Sequence, residues 1–472
     1  MMGAVENMTM DIKTLSHMSL RELQAAYADK CLSPVEVIHV TLAQNDAVGN
    51  KINALYGVRD REARAEANAS QERYAAGKPL SAFDGVPVTL KDSVNAIGMY
   101  WHHGSAIHGE GVIGTIDSPP AARLKKAGAI ILGKTIMPDF GLSASGVSTS
   151  HGIVHNPWGL SWSTGGSSAG GAASIATGIG MMSVGSDIAG SVRLPASHCG
   201  LAAFKPTQGI IPHAPASNVR SAGPITRRAA DLEAWTKLLT GPDTADRYSM
   251  RYCDANRDRK LSVGATADFG FGPSTEPAVK ACFENVKAAL EELVGNIQCV
   301  SKTPGFNAYL PIDDSLKLRG WAEYSSASDE LRDLVPQALY AWFREAEDWG
   351  GAKIREVECG IEKSIAYCVD LLADVDVLLT PVMPVVNFPV EDLGVDPLMP
   401  LRHTTFTALF NQSGNPAVSI CGGFDDRGLP IGMQLVAKRL DDAALLKLAT
   451  DLELKLNIFG DGKRDWPVTP MA

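Results

Sequence analysis

The feature that most constrains this chain is residues 140–186, a stretch with no Asp, Glu, Lys or Arg and an abundance of Gly and Ser. It lacks the roughly twenty consecutive apolar residues of a spanning helix, so no membrane segment is expected there. Small uncharged residues at this density suit close approach of one backbone to another, as in tight helix–sheet packing. They equally suit a site where a substrate must reach the main chain.

On both sides of this stretch, helical and extended patterns alternate. Ser19-Leu-Arg-Glu22 and Ser33-Pro-Val-Glu36 are capping boxes, the second with Pro34 at the first helical position. A charged helix over about residues 59–76 stops at Gly77. Val86-Pro-Val-Thr-Leu90 alternates like a strand and ends on Lys91-Asp92-Ser93. Ser118-Pro-Pro opens a helix to Ala127, and Ala129-Ile-Ile-Leu132 reads as a buried strand. Further on, residues 278–293 and 442–452 read as helices, and 375–380, 417–421 and 433–436 as strands. Such interleaving predicts an α/β layer architecture.

A length of 472 residues allows about three domains or one large one. No linker divides the chain and no repeat is visible, so a single domain over 1–472 is expected, its first part (about 1–80) helical. Residues 301–360 are the least patterned and read as a variable insertion or lid.

Composition excludes several classes of function. With 45% hydrophobic and 20% charged residues, disorder is not the main state. A net charge of −10 and a pI near 5.5 repel a phosphate backbone, so nucleic acid is not an expected partner. Residues 1–20 include Glu6, Asp11 and Lys13 and show no apolar core of a secretory signal. The eight cysteines contain no CxxC pair and read as reduced, mostly buried thiols of a cytoplasmic protein. His102, His103 and His108 form the densest imidazole group, but HExxH is absent and no metal is expected.

Two motif matches fail on physical grounds. Gly128-Ala-Ile-Ile-Leu-Gly133-Lys134-Thr135 fits the P-loop expression, yet its intervening residues are strand-core residues rather than an open polar loop, and Pro138 interrupts the helix that should follow. Gly166-Ser167-Ser168-Ala169-Gly170 fits the nucleophile elbow, but a turn-rich segment precedes it where the elbow needs a strand. A Ser168–His403 triad is therefore not expected.

A longer constellation remains. Gly165-Gly166-Ser167-Ser168-Ala169-Gly170-Gly171 leads to Gly185-Ser186-Asp187-Ile188-Ala189-Gly190-Ser191-Val192-Arg193-Leu194-Pro195, with Lys91 upstream at the end of a strand. These residues closely resemble the amidase signature family of serine hydrolases. The resemblance extends over nearly the whole chain, through Ala203-Phe204-Lys205-Pro206-Thr207, Leu378-Leu379-Thr380-Pro381, residues 410–417 and residues 428–435. It implies a single large α/β/α domain, a mixed central β-sheet covered by helices on both faces, with a signature core at about 81–230.

The resemblance also implies roles. Ser191 is the nucleophile, Lys91 the base, and Ser167 a bridging serine that the family holds by a cis peptide. The backbone N–H groups of Ile188, Ala189, Gly190 and Ser191 form the oxyanion hole. Ser168, Asp187 and Arg193 are supporting residues, and Gly141, Leu142 and Ser143 lie on a loop that lines the acyl pocket in relatives. A lysine serves as base only when neutral, so its pKa must fall from about 10.4; burial at the end of a core strand does this.

The reaction implied is hydrolysis of a carboxamide C–N bond through an acyl-enzyme, with ammonia or an amine released and no metal or organic cofactor. A small-molecule amide is the expected partner, and relatives allow a homodimer. Trp101, Trp162, Trp321, Tyr324 and Trp342 suggest an apolar or aryl acyl group near the mouth. Carbamates, ureas or esters are alternatives for the same triad, as is a binding protein that has lost catalysis. A glutamine-hydrolysing amidotransferase subunit is another; such members usually carry Gln where Leu194 stands, and Tyr and Arg where Gln208 and Ile210 stand.

Overall fold

The structure, a computed structural model, describes residues 10–255, 257–460 and 463–471. The first nine residues, part of the segment read for a secretory signal, lie outside that description. No helix among the described residues is long and apolar enough to cross a membrane.

Eleven strands form one mixed sheet. From one edge it runs Leu55–Tyr56, Ile130–Thr135, Pro87–Lys91, Met182–Asp187, Ser221–Thr226 and Ala202–Lys205. It continues through Ala417–Phe424, Pro430–Ala437, Val377–Pro381, Val263–Ala265 and Gln298–Cys299. The Pro87–Lys91 strand lies parallel to both of its neighbours, and Val263–Ala265 does likewise near the other edge. The strands between them pair antiparallel.

Side chains leave the sheet on both faces into separate apolar clusters. Val377 and Leu379 pack with the Pro277–Val294 and Asp442–Leu456 helices, whereas Leu378 packs with Leu310–Ser325 and Gly351–Leu371. The same alternation splits Ile131 from Ile130 and Leu132. Burial on both faces explains why these strands read as short apolar runs rather than as alternating patterns.

Both capping boxes form, at Ser19 with Glu22 and Ser33 with Glu36. The charged helix spans Asp60–Ala75, and Gly77 beyond it has φ +67°. Three expectations need correction. The N-terminal part is not purely helical, because Leu55–Tyr56 adds an edge strand antiparallel to Ile130–Thr135. Residues 301–360, the least patterned in sequence, are largely helical, with Leu310–Ser325, Asp329–Arg332, Gln337–Phe343 and the start of Gly351–Leu371. Of the cysteines, four are buried, three exposed and Cys359 intermediate, so "mostly buried" overstated the case.

The uncharged stretch packs as closely as its residues allow. It contains the short helix Ala169–Ala176, every residue of which is buried. A Cβ on Gly170 would stand 2.1 Å from the Ala54 carbonyl oxygen, and one on Gly171 2.6 Å from Ser183 Oγ.

Candidate active site

Lys91 closes the Pro87–Lys91 strand, whose five residues are all buried between parallel neighbours. Its Nζ donates to Ser167 Oγ at 2.8 Å and to the Ser186 carbonyl at 3.1 Å. Burial pushes the ammonium down to about 7; the Asp187 and Asp92 carboxylates oppose this, and the Arg220 guanidinium adds to it. A large share of Lys91 is therefore neutral near pH 7 and able to take a proton from the serine it touches.

Ser167 sits on the turn into the Ala169–Ala176 helix, and the Gly166–Ser167 peptide is cis. Neighbouring backbone approaches it closely: a Cβ on Gly166 would lie 2.3 Å from the Ser145 carbonyl oxygen, and one on Gly141 3.2 Å from Ser167 Oγ. Ser191 lies between the Met182–Asp187 strand and the Arg193–Cys199 helix. Its carbonyl accepts the Ser168 N–H at 3.0 Å. The Ser191 hydroxyl makes no hydrogen bond among the described residues; it borders a small cavity that Lys91 and Ser167 also line.

The turn before Ser191 presents backbone donors. The N–H groups of Ile188, Ala189 and Ser191 have no protein acceptor among the described residues. Gly190 differs from expectation: its N–H donates to Asp187 Oδ1 at 2.6 Å, so it is engaged in holding the turn. Its φ of +121° and a Cβ position 2.3 Å from Thr407 Oγ1 account for the glycine.

Asp187 and Arg193, both fully buried, brace this turn. Arg193 Nε and Nη2 each donate to the Asp187 carboxylate at 3.0 Å, Nη2 also to Asn411 Oδ1 at 2.6 Å, and Nη1 to Gln434 Oε1 at 3.1 Å. Burial alone would raise the Asp187 carboxyl; Arg193, with Lys205 and Asn411, reverses that and holds it at about 2. Ser168 supports through its main chain only, since its hydroxyl is buried without a partner.

Other sequence readings resolve individually. Of the acyl-pocket trio only Gly141 borders the cavity; Leu142 packs in the core with Phe140, and Ser143 donates to the Leu393 carbonyl at 3.1 Å. The cause is a tight turn over Asp139–Gly141, with Phe140 at φ +56°, that aims the next residues inward. None of the five aromatic residues expected at the mouth borders the cavity. Trp342 is core, and Trp162 lies beneath the Arg427 guanidinium. The P-loop lookalike is the Ile130–Thr135 strand, and Lys134 donates to the carbonyls of Asp92 at 2.8 Å and Val94 at 2.6 Å. Both ring nitrogens of His403 and the Ser168 hydroxyl lack partners, so the alternative triad is not assembled.

Sequence reasoning missed several residues that border the cavity: Ser93, His103, Met137, Phe140, Ser186 and Arg220. They come from separate loops, and one signal was legible, the lone charge of Arg220 ahead of Ser221-Ala-Gly-Pro224. His103 is fixed from behind: the Asp92 carboxylate accepts the N–H groups of His102 at 3.0 Å and Gly104 at 2.7 Å. In front, His103 Nδ1 and His108 Nε2 both contact Glu323 Oε1 on the Leu310–Ser325 helix, the latter at 3.2 Å. These three residues are also the group among the described residues whose ligand atoms converge for a metal, all within 4.8 Å. Burial would raise the Glu323 carboxyl, but the two imidazoles hold it at about 2.

A family model described as "Amidase" matches residues 36–330 and 352–446. The chain is 31% identical over 461 residues to an acylamidase of Rhodococcus erythropolis, covering 93% of this chain and 96% of that one. It is also 31% identical over 485 residues to one subunit of the glutamyl-tRNA(Gln) amidotransferase of Anaeromyxobacter sp. (strain K), covering 95% and 98%. The crystal structure of a bacterial aryl acylamidase shares the fold at TM-score 0.85 and 24% identity, covering 96% of this chain and 99% of that one.

Proposed function

As this chain belongs to the amidase signature family, we propose that it hydrolyses a carboxamide C–N bond through a Ser191 acyl-enzyme, with Ser167 and Lys91 as the proton relay. The observation that carries this reading is the buried Lys91, close to neutral at pH 7, donating to Ser167 at 2.8 Å beside a cavity shared with the uncommitted Ser191 hydroxyl. A neutral Lys91 draws the Ser167 proton, Ser167 draws that of Ser191, and the Ser191 oxygen attacks the amide carbonyl. The free N–H groups of Ile188, Ala189 and Ser191 supply donors to the developing oxyanion. The leaving ammonia or amine takes the proton back through Ser167, and water cleaves the acyl-enzyme by the same route.

Product release from a panel of aliphatic amides, anilides, carbamates and glutamine tests this. Turnover is expected to rise with pH through about 7 as Lys91 loses its proton, and a serine-directed phosphonate should label the enzyme but not Ser191→Ala. Full turnover in Ser191→Ala or Lys91→Ala would overturn the relay.

A second reading, a glutamine-hydrolysing amidotransferase subunit, is supported by the Anaeromyxobacter relative. Against it, Leu194 is buried and Gln208 braces a neighbouring loop, so neither presents the groups that the glutamine-using members carry. Ammonia release from glutamine separates the two.

A further inference from the structure

Arg220 borders the catalytic cavity, its charge offset by the Asp246 carboxylate without a direct ion pair. Its Nη2 donates to the Pro215 carbonyl at 2.7 Å, its Nε is buried without a partner, and it forms no ion pair among the described residues. The loop that presents it is fixed. Gln208 Nε2 donates to the carbonyls of Ser217 at 2.6 Å and Arg220 at 3.1 Å, and Ser221 Oγ donates to Gln208 Oε1 at 2.8 Å. A second cation acts on it from the Leu310–Ser325 helix: Arg319 makes no hydrogen bond or ion pair among the described residues and is accessible to solvent. Burial and, next, Arg319 bring the Arg220 guanidinium down to about 10.

The carboxylate that acts on Arg220, Asp246, forms no ion pair among the described residues and is held by backbone donors. Asp246 accepts the N–H groups of His213 at 3.0 Å and Tyr248 at 2.9 Å. Glu323 is held by two histidines, and Asp187 by Arg193. Lys91 adds a further amine to the same cavity. Like charges facing one another in a partly desolvated space repel strongly unless an anion comes between them. A guanidinium with unused donors is a planar fork matched to a carboxylate.

We propose that the amide substrate carries a second, ionised carboxylate, received by Arg220 at the cavity and by Arg319 on the lid helix. This rests on the hydrolytic reading above and names its substrate class: short monoamides of dicarboxylic acids or related amido acids.

The test compares glutaramate and succinamate with the neutral amides valeramide and butyramide. The expected kcat/KM is higher for the carboxylates by about tenfold or more, the size of a charge-assisted contact. Arg220→Gln should collapse that ratio and Arg220→Lys partly restore it. A merely structural role for Arg220 would lower both substrate classes alike and leave the ratio unchanged, which overturns the proposal. Arg319→Gln should reduce the ratio through KM. A readout independent of turnover is the rate of phosphonate labelling at Ser191. Glutarate should slow it where the neutral diamide glutaramide does not, and Arg220→Gln should abolish the protection. Equal protection by both, or none by glutarate, overturns the carboxylate site while leaving Ser191 as nucleophile. Unlabelled wild-type enzyme that turns over normally would instead overturn the hydrolytic reading beneath it.

Discussion

At the scale of single residues, function and stability oppose each other at Lys91. Its ammonium titrates near 7 in the folded chain against 10.5 in the unfolded one, so between those values the unfolded state binds the extra proton. Stability therefore rises as pH climbs from about 7 to 10.5, and the cost of burying the amine is greatest below that window. Lys91→Met removes the cost together with two hydrogen bonds. We expect a net gain of about 1–2 kcal/mol at pH 7, less than the desolvation term because each lost bond returns about 1 kcal/mol. Thermal unfolding at pH 7 and pH 10 checks the sign: Lys91→Met should be inactive, more stable at pH 7, and lose that advantage at pH 10. Lys91, Ser167 and Ser191, the residues of the proposed relay, were legible as candidates because Gly165–Ser168 and Asp187–Pro195 are contiguous motifs with Lys91 ending a clear strand. His103 was not legible at the cavity and Arg220 only as a lone charge, because single residues on separate loops acquire meaning only when the fold brings them to one cavity.

At the scale of elements, the Leu310–Ser325 helix shows why part of the fold escaped the sequence. Its buried face includes Asp313 and Lys317 alongside Ile312 and Leu316, and Lys317 Nζ pairs with Asp313 at 3.2 Å and Glu345 at 2.6 Å. Charged residues on the inward face break the apolar period by which a helix is read. Five of the sheet strands had no such interruption and were found to within a few residues, whereas Met182–Asp187, Ala202–Lys205, Ser221–Thr226 and the short strands toward the edges were not read as strands. This helix is tied to the cavity rim by Glu323 against His103 and His108, with the Trp101 ring 5.4 Å from that of His103 and 4.7 Å from that of His108. Glu323→Gln keeps the shape and removes the charge. KM should rise about threefold to tenfold with a smaller change in kcat, as for a lid that closes less completely. Hydrogen exchange should quicken along residues 310–325. Unchanged exchange with an unchanged KM would show that the helix is held by its apolar packing instead.

At the scale of the whole molecule, the turn that carries Ser191 is positioned by residues far apart in the sequence. Arg193 reaches Asp187 six residues away, Asn411 across 218 residues and Gln434 across 241, all in buried hydrogen bonds. Asn411 returns two bonds to Asp187, from Nδ2 to its carbonyl and to Oδ1, each 2.9 Å. Gln434 continues to the Phe406 carbonyl at 2.6 Å and Thr380 Oγ1 at 2.8 Å. The network thus ties the Thr405–Gln412 helix and two strands of the distal half of the sheet to the turn that carries the backbone donors. Removing Arg193 alone leaves the Asp187 carboxylate buried with its countercharge gone, a loss of about 3–5 kcal/mol. Arg193→Lys cannot replace it, since one ammonium does not span Asp187, Asn411 and Gln434 together. Paired removal is different in kind: with Asp187→Asn the charge disappears as well, so Asp187→Asn/Arg193→Met should be less destabilised than Arg193→Met. Urea unfolding of the four species gives that coupling directly. A double variant that loses the sum of the two single losses would mean that the pair does not act as one unit, and that the turn is held by its separate hydrogen bonds.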